Sequence, residues 1–430
     1  MTTITARGAF VLTGLYGLAA VLPKAIGFVA LMWVAKVLTV NDYALFGMLY
    51  AIQAGLGMVA LAGISEVVVA RSSAKATDLK ELYTAANSAF IVMLVAWCVL
   101  GALALATTGR LEQGVNAIAA AVGGFGLGFA TLQSQMLRLE ERHYPAIWVQ
   151  FAASSASFLG GGLFFFVQPS VISFFTGASA AILATLAWLA FRNIGHYRLT
   201  ANPVAVRPIL LGIPPFILIG VLGWLNGYGN NYIIGSLLTL RDVADFTFLL
   251  SLSATIQIVG SSLNQVWSPR FYRLYQAGEL VEMERLSGKA FRVSALAMGM
   301  ATAVLLLLYK PLIDLIGGNL IAYREKTLEL ALMSASYLAV IPLWHCQNYF
   351  VASGRSKDML RSTLIGTTIG FGAWIGMVVW LGSIGVFAGY LVQAAVRSCV
   401  VLLVARRFWH IRVSWGGILL GLALLCASLL

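Results

Sequence analysis

Apolar runs of about 18 residues or more recur along the whole 430-residue chain, and each is long enough to cross a hydrocarbon core of about 30 Å. Lipid offers the backbone no water to bond, so only helices or a closed barrel can span it. Barrel strands would alternate inward and outward with period two, and these runs do not, which leaves a bundle of helices. Only 10% of the residues are charged and 60% are hydrophobic, against about 25% charged in a soluble domain. Such a chain cannot cover a water-facing surface. The expected fold class is an all-α polytopic membrane protein.

Hydropathy and turn residues give about twelve spans. They cover residues 8–38, 43–70, 85–107, 114–135, 145–167 and 171–191, then 208–238, 245–267, 290–312, 327–352, 362–381 and 384–404. A last apolar stretch, 413–430, is either a thirteenth span or a tail lying along the membrane. The first stretch is too long for a signal-peptide core and lacks a small-residue cleavage site, so it is expected to stay as the first span. The residues 268–288 between spans eight and nine mix Phe271, Leu274, Leu280 and Met283 with charges. They suit short interfacial helices or a solvated connector.

Lys and Arg set the expected orientation. Arg7, Arg71, Lys75, Lys80, Arg138, Arg142, Arg192, Arg198 and Arg207 fall in one alternating set of loops. Arg270, Arg273, Arg285, Lys289, Arg292, Arg355, Lys357, Arg361, Arg406, Arg407 and Arg412 continue it. The opposite loops hold only Arg110, Arg241, Arg324 and Lys326. The positive-inside rule puts the first set and the N-terminus in the cytoplasm. The net charge of +12 therefore follows topology and is not a sign of nucleic acid binding.

Leu38, Thr39, Asp42, Ala44 and Phe46 match Leu238, Thr239, Asp242, Ala244 and Phe246 at a constant offset of 200 residues. Both copies sit at a short polar break between two apolar runs, as in a membrane protein whose halves share a topology. The expected organisation is a six-helix lobe over 1–191, a cytoplasmic linker over 192–207, a second six-helix lobe over 208–405 and a basic segment with an apolar end over 406–430. Two lobes of like orientation are related by a pseudo-twofold along the membrane normal, with the substrate path between them.

No catalytic constellation is evident, and no Gly-rich loop ends in the Lys-Ser/Thr of a nucleotide phosphate site. Cys98, Cys346, Cys399 and Cys426 lie in apolar segments without metal-ligand spacing. No metal, cofactor or enzymatic activity is expected. Transport is the better class, and charges inside the spans are its informative residues, since each costs at least ~2.5–3.5 kcal/mol near mid-bilayer. Lys24 lies near the middle of the first span, directly after Pro23. The proline removes a backbone donor and should bend the helix, so Lys24 suits the lining of an aqueous cavity. Snorkelling is its alternative, with poor reach from mid-span. Arg397 lies about 13 Å of helix inside Arg406, and cavity lining and snorkelling suit it equally. Lys36 and Lys310 near outer span ends suit interfacial anchors. Glu66 is close enough to Arg71 to pair with it, and Asp314 and Glu329 fall at the outer rim.

The cations thus exceed the anions in the deeper part of the bundle, as a phosphate-bearing passenger would require. Gln53, Glu66, Asn226, Asn230, Asn231, Asn264, Gln265, His345 and Asn348 add polar groups that either line the cavity, bonding sugar hydroxyls, or tie helices together. Pro214 and Pro215 should bend the seventh span as Pro23 bends the first.

Several stretches resemble polysaccharide-transporter flippases of the Wzx type, within the multidrug/oligosaccharidyl-lipid/polysaccharide exporter superfamily. They are residues 34–47, 63–71, 231–235, 268–274, 352–357 and 382–389, and the similarity covers nearly the whole chain. The resemblance implies a V-shaped pair of six-helix lobes working by alternating access in a bacterial inner membrane. It also implies a polyprenyl-diphosphate-linked oligosaccharide as passenger, membrane lipids around the prenyl tail, and a polysaccharide polymerase and chain-length machinery as further partners. Lys24 fits the cationic first-helix position of such flippases. Asn231 stands where many relatives carry Asp, which weakens any proton or sodium coupling there. The rivals are a cation-coupled drug exporter of the same superfamily, which wants a deeply buried carboxylate, and a membrane glycosyltransferase or polymerase, which wants charged catalytic loops on the outer face.

Overall fold

The computed structural model describes residues 6–61, 63–72, 78–108 and 111–413, with a few isolated positions beyond. Among them there is no strand. The chain divides into two compact units, Met1–Asn230 and Asn231–Leu430.

The first unit holds α1 (Ala6–Val37), α2 (Val40–Leu61), α3 (Ile64–Ser72), α4 (Leu79–Thr108) and α5 (Leu111–Leu139). It continues with α6 (His143–Val167), α7 (Val171–Phe191), α8 (Pro203–Gly212) and α9 (Pro214–Leu225). After α10 (Asn230–Leu237), the second unit carries α11 (Leu240–Gln276), α12 (Leu280–Ile316), a 3₁₀ segment (Gly318–Tyr323), α13 (Thr327–Ala352), α14 (Ser356–Leu381) and α15 (Ser383–Ala405). Nine helices among the described residues are long and apolar enough to cross a membrane, and the bent pair α8–α9 adds a tenth. At 32 and 22 residues, α1 and α2 also exceed the ~20 that a crossing needs. Most of the stretch 413–430, and with it the choice between span and tail, lies outside the described residues.

The repeated nonapeptide folds the same way twice. Asp42 N–H donates to Thr39 Oγ1 at 3.2 Å and Asp242 N–H to Thr239 Oγ1 at 3.3 Å. Each threonine hydroxyl also donates to its aspartate, at 2.7 and 2.6 Å. Both pairs cap a helix that starts at the next residue, Val40 or Leu240, by satisfying backbone donors that a first turn leaves open. Four residues further on, Phe46 and Phe246 are both fully buried. Phe46 packs on Phe174 and Phe175 of α7, and Phe246 on Phe387 and Tyr390 of α15. In each unit the phenylalanine meets the unit's last long helix. Small residues bring α6 and α7 together, since a side chain on Gly160 would collide with the Gly177 carbonyl at 2.6 Å, the close approach typical of lipid-embedded pairs.

Two spans depart from single straight rods. The second breaks at Gly63, whose φ of +86° suits glycine. The seventh falls into α8, α9 and α10, with a 52° bend between the first two where Ile213, Pro214 and Pro215 interrupt the ladder. The two breaks meet, because a Cβ on Gly63 would lie 2.9 Å from Ile213 Cα. The residues 268–288 are neither short helices nor a solvated loop. α11 and α12, 37 residues each, run through them as rods of about 55 Å and turn only around Gly278 (φ +75°).

Candidate functional site

Pro23 lies inside α1 and is buried, and Lys24 beside it is exposed. No carboxylate pairs with Lys24 among the described residues. Lys36, in the last turn of α1, is exposed as well.

The other polar positions of the first unit are tied to its helices. Gln53 of α2 is 3% exposed and its Nε2 donates to Ser157 Oγ of α6 at 3.4 Å. Gly123 and Gly124 of α5 make room for it, since a Cβ on Gly123 would stand 2.7 Å from Gln53 Nε2. Asn226 closes α9 by donating from Nδ2 to the Leu222 carbonyl. Asn230 opens α10 fully buried, and neither end of its amide has a hydrogen-bond partner among the described residues. Pro214 begins α9 and is exposed. The side chains of Glu66, Pro215 and Gln265 lie outside the described residues.

In the second unit, α13 gathers several expected residues at once. Asn348 Nδ2 donates to Asn264 Oδ1 of α11 at 2.8 Å, and Tyr272 OH donates to Asn348 Oδ1 at 2.7 Å. His345 stacks on Trp267 at 4.5 Å and shares a 3.0 Å hydrogen bond with Ser287 Oγ of α12. Asn231 is fully buried. Among the described residues no group of His, Cys, Asp or Glu gathers as a metal site.

Arg397 sits on α15 against α14. A Cβ on Gly366 would lie 3.2 Å from Arg397 Cα and one on Gly370 3.4 Å from Arg397 Cγ, so the two glycines admit the arginine stem between the helices. The residue is half-buried, and its Nε has no hydrogen-bond partner among the described residues. Two turns earlier on the same face, Tyr390 hydrogen-bonds Tyr337 of α13, which also bonds Ser253 of α11. Sequence reading had missed this hydroxyl chain. The seven-residue spacing of Tyr390 and Arg397 was its visible signal.

Asp245, 1% exposed, was missed as a buried acid. It accepts from Arg241 Nε at 3.0 Å and pairs with Lys326 at 2.9 Å. Around it Lys326 reaches Glu329 at 3.2 Å, Lys310 reaches Glu325 at 2.9 Å and Arg324 bridges Asp314 and Glu325 at 2.8 and 2.6 Å. Lys310 is thus one half of an ion pair. Burial works against the Lys326 charge, but Asp245 and Glu329 outweigh it and hold the ammonium above its usual range. The hydrogen bond from Lys310, then that from Arg324, holds Glu325 below the usual carboxylate range. The lysine contribution is lost as pH rises through its folded pKa, and the glutamate contribution as pH falls through its own. The Lys326 contribution is fully present below the unfolded lysine pKa of about 10.4, and the Glu325 contribution above the unfolded glutamate pKa of about 4.3.

A family model described as polysaccharide biosynthesis protein matches residues 6–275. No curated protein matches the chain in sequence. Among solved structures, the lipid II flippase MurJ in an inward closed conformation has a TM-score of 0.68 at 13% identity, over 96% of this chain and 97% of that one. An inward-facing multidrug resistance MATE family transporter of the MOP superfamily has 0.61 at 15% identity, over 100% and 96%. A point mutant of the Vibrio cholerae MATE transporter VcmN has 0.60 at 16% identity, over 93% and 95%. At these identities the likeness is one of fold.

Proposed function

The chain belongs to the polysaccharide biosynthesis protein family, and on that premise we propose that it is a flippase for a polyprenyl-diphosphate-linked oligosaccharide. The repeat unit of an O-antigen, capsule or exopolysaccharide would pass from the inner to the outer leaflet of a bacterial inner membrane by alternating access. Lys24 and Arg397 attract the diphosphate or an acidic sugar, while the prenyl tail stays in lipid.

One contrast supports this reading. In the second unit Arg241, Lys310, Arg324 and Lys326 each hold a carboxylate, whereas Lys24 and Arg397, inside spans, hold none among the described residues. A cation kept within a span without a protein counter-ion suits an anionic ligand. A cation-coupled drug exporter would instead need a buried carboxylate free to exchange its proton. Among the described residues the buried acids are Asp245, which two cations hold, and Asp242, which the Thr239 hydroxyl holds.

The test is complementation of a strain lacking the gene, reading surface polymer and the lipid-linked intermediate. Lys24→Ala should insert normally yet leave the intermediate accumulating, with polymer down at least about tenfold. Lys24→Arg should restore most export, and Arg397→Gln should fall well below Arg397→Lys because a neutral amide cannot attract the diphosphate. Normal export by Lys24→Ala would rule out the assigned role.

A further inference from the structure

We propose that the face of the first unit around α4 binds one anionic diacyl phospholipid, a site separate from the transport path and independent of what the passenger is. Three adjoining hollows lie against α4. The first, about 710 Å³, is polar and is lined by Lys80, Glu81 and Thr84 with Arg198, Thr200 and Asn202. It shares Leu199 and Thr200 with a second, about 560 Å³, walled by Ser88, Ile91, Val92, Val206, Arg207 and Leu210. This one shares Ile91 with a third, about 860 Å³, almost wholly apolar, among Leu94, Trp97, Phe125, Phe129 and Leu186.

The polar wall is built, not loosely draped. The segment 192–202 is pinned to α4 and α5 by buried side chains: Asn87 Nδ2 donates to the carbonyls of His196 and Arg198, Gln133 Oε1 accepts from His196 N–H at 2.7 Å, and Ser88 Oγ accepts from Thr200 N–H at 2.8 Å. That pinning fixes Arg198 in the wall of the hollow that Lys80 also lines. Lys80, Arg198 and Arg207 are exposed and have no ion pair among the described residues. Glu81 is the acid in the same lining, and His196 is engaged by Glu140 at 3.0 Å. The balance is positive at one end only.

The dimensions fit a single leaflet. From Thr84 to Trp97 the helix rises about 20 Å, close to half of the ~40–45 Å bilayer with its headgroups. A phosphate would rest among Lys80, Arg198 and Arg207, where a zwitterionic headgroup would leave the surplus charge unused. Below it the two apolar hollows part on either side of Ile91, one toward α8 and one toward α5 and α7. Two limbs take two acyl chains, and a single prenyl chain would fill only one.

The experiment is native mass spectrometry of the full-length protein in detergent, offered equal amounts of phosphatidylglycerol, phosphatidylcholine and undecaprenyl phosphate. Wild type should retain one phosphatidylglycerol at least about tenfold over either competitor. Lys80→Gln/Arg198→Gln/Arg207→Gln should erase that preference with Tm unchanged, as all three side chains are exposed. The single Arg207→Gln, should the triple variant not purify, should reduce it about threefold. Ala121→Phe, in the wall of the third hollow, should lower retention of both diacyl lipids. Phosphatidylglycerol held equally by wild type and the charge variants, phosphatidylcholine held as well as phosphatidylglycerol, or undecaprenyl phosphate displacing both would overturn the proposal. Export by the Lys24 variants is a separate readout that none of these results moves.

Discussion

Asp245 and Arg397 show the same electrostatic problem resolved in opposite ways. Asp245 is almost sealed from solvent, and its charge survives because Arg241 and Lys326 reach it from two sides. Arg397 has glycines to admit its stem and a tyrosine two turns away, yet no acid among the described residues. The first arrangement is complete in itself; the second would be completed by the anionic passenger proposed above. The Arg241–Asp245 pair was legible as a four-residue helical spacing, but Lys326 is remote in sequence and no periodicity announces it. Asp245→Asn should therefore destabilise the second unit, leaving Lys326 to Glu329 and Arg241 to the Ala322 carbonyl. Because both partners reach solvent, the loss should be about 2 kcal/mol, below the ~3–5 for breaking a fully buried pair. Lys310→Gln, at an exposed pair, should cost under about 1 kcal/mol. Thermal unfolding in detergent distinguishes them, and equal losses would mean that burial of Asp245 carries no special weight.

Helix existence was legible because lipid enforces it, and the spans at 171–191 and 327–352 end where the sequence placed them. Helix ends beyond the bilayer were not, because hydropathy senses only the lipid-facing part of a rod. α11 and α12 pass into charged sequence without breaking, and there the backbone needs no apolar side chains to stay helical. The break at Gly63 was illegible for the opposite reason: it lies in an apolar run and is set by packing against Ile213. Pro214 and Pro215 did mark the bend at Ile213. The repeated Thr-x-x-Asp was the most informative local signal, since the same threonine and aspartate make the same cap twice. Thr39→Ala and Thr239→Ala should each cost about 1 kcal/mol, with amide protection lost chiefly in the first turns of α2 and α11. If either substitution leaves that protection intact, the matching residues are coincidence and the caps are ornamental.

For the molecule as a whole, the direction of transport depends on which ends of the helices face the cytoplasm, and the chain carries that information in its loops. Basic residues crowd the turns after α3, α5, α7, α11, α13 and α15, while among the described residues the opposite turns hold Arg241, Arg324 and Lys326, each already matched by a carboxylate. The positive-inside rule counts Lys and Arg rather than net charge, so the contrast in their number, not their pairing, sets the orientation. Reporter insertions follow directly. A fluorescent protein placed at residue 200 or 278 should mature in the cytoplasm, and alkaline phosphatase placed at 168 or 318 should be active outside. The orientation these reporters test would put Lys80, Arg198 and Arg207 against the anionic inner leaflet, where a headgroup would meet them. Phosphatase activity at 278 with none at 318 would invert the molecule. The passenger would then move inward past Lys24 and Arg397, and the export reading would fail even with both cations in place.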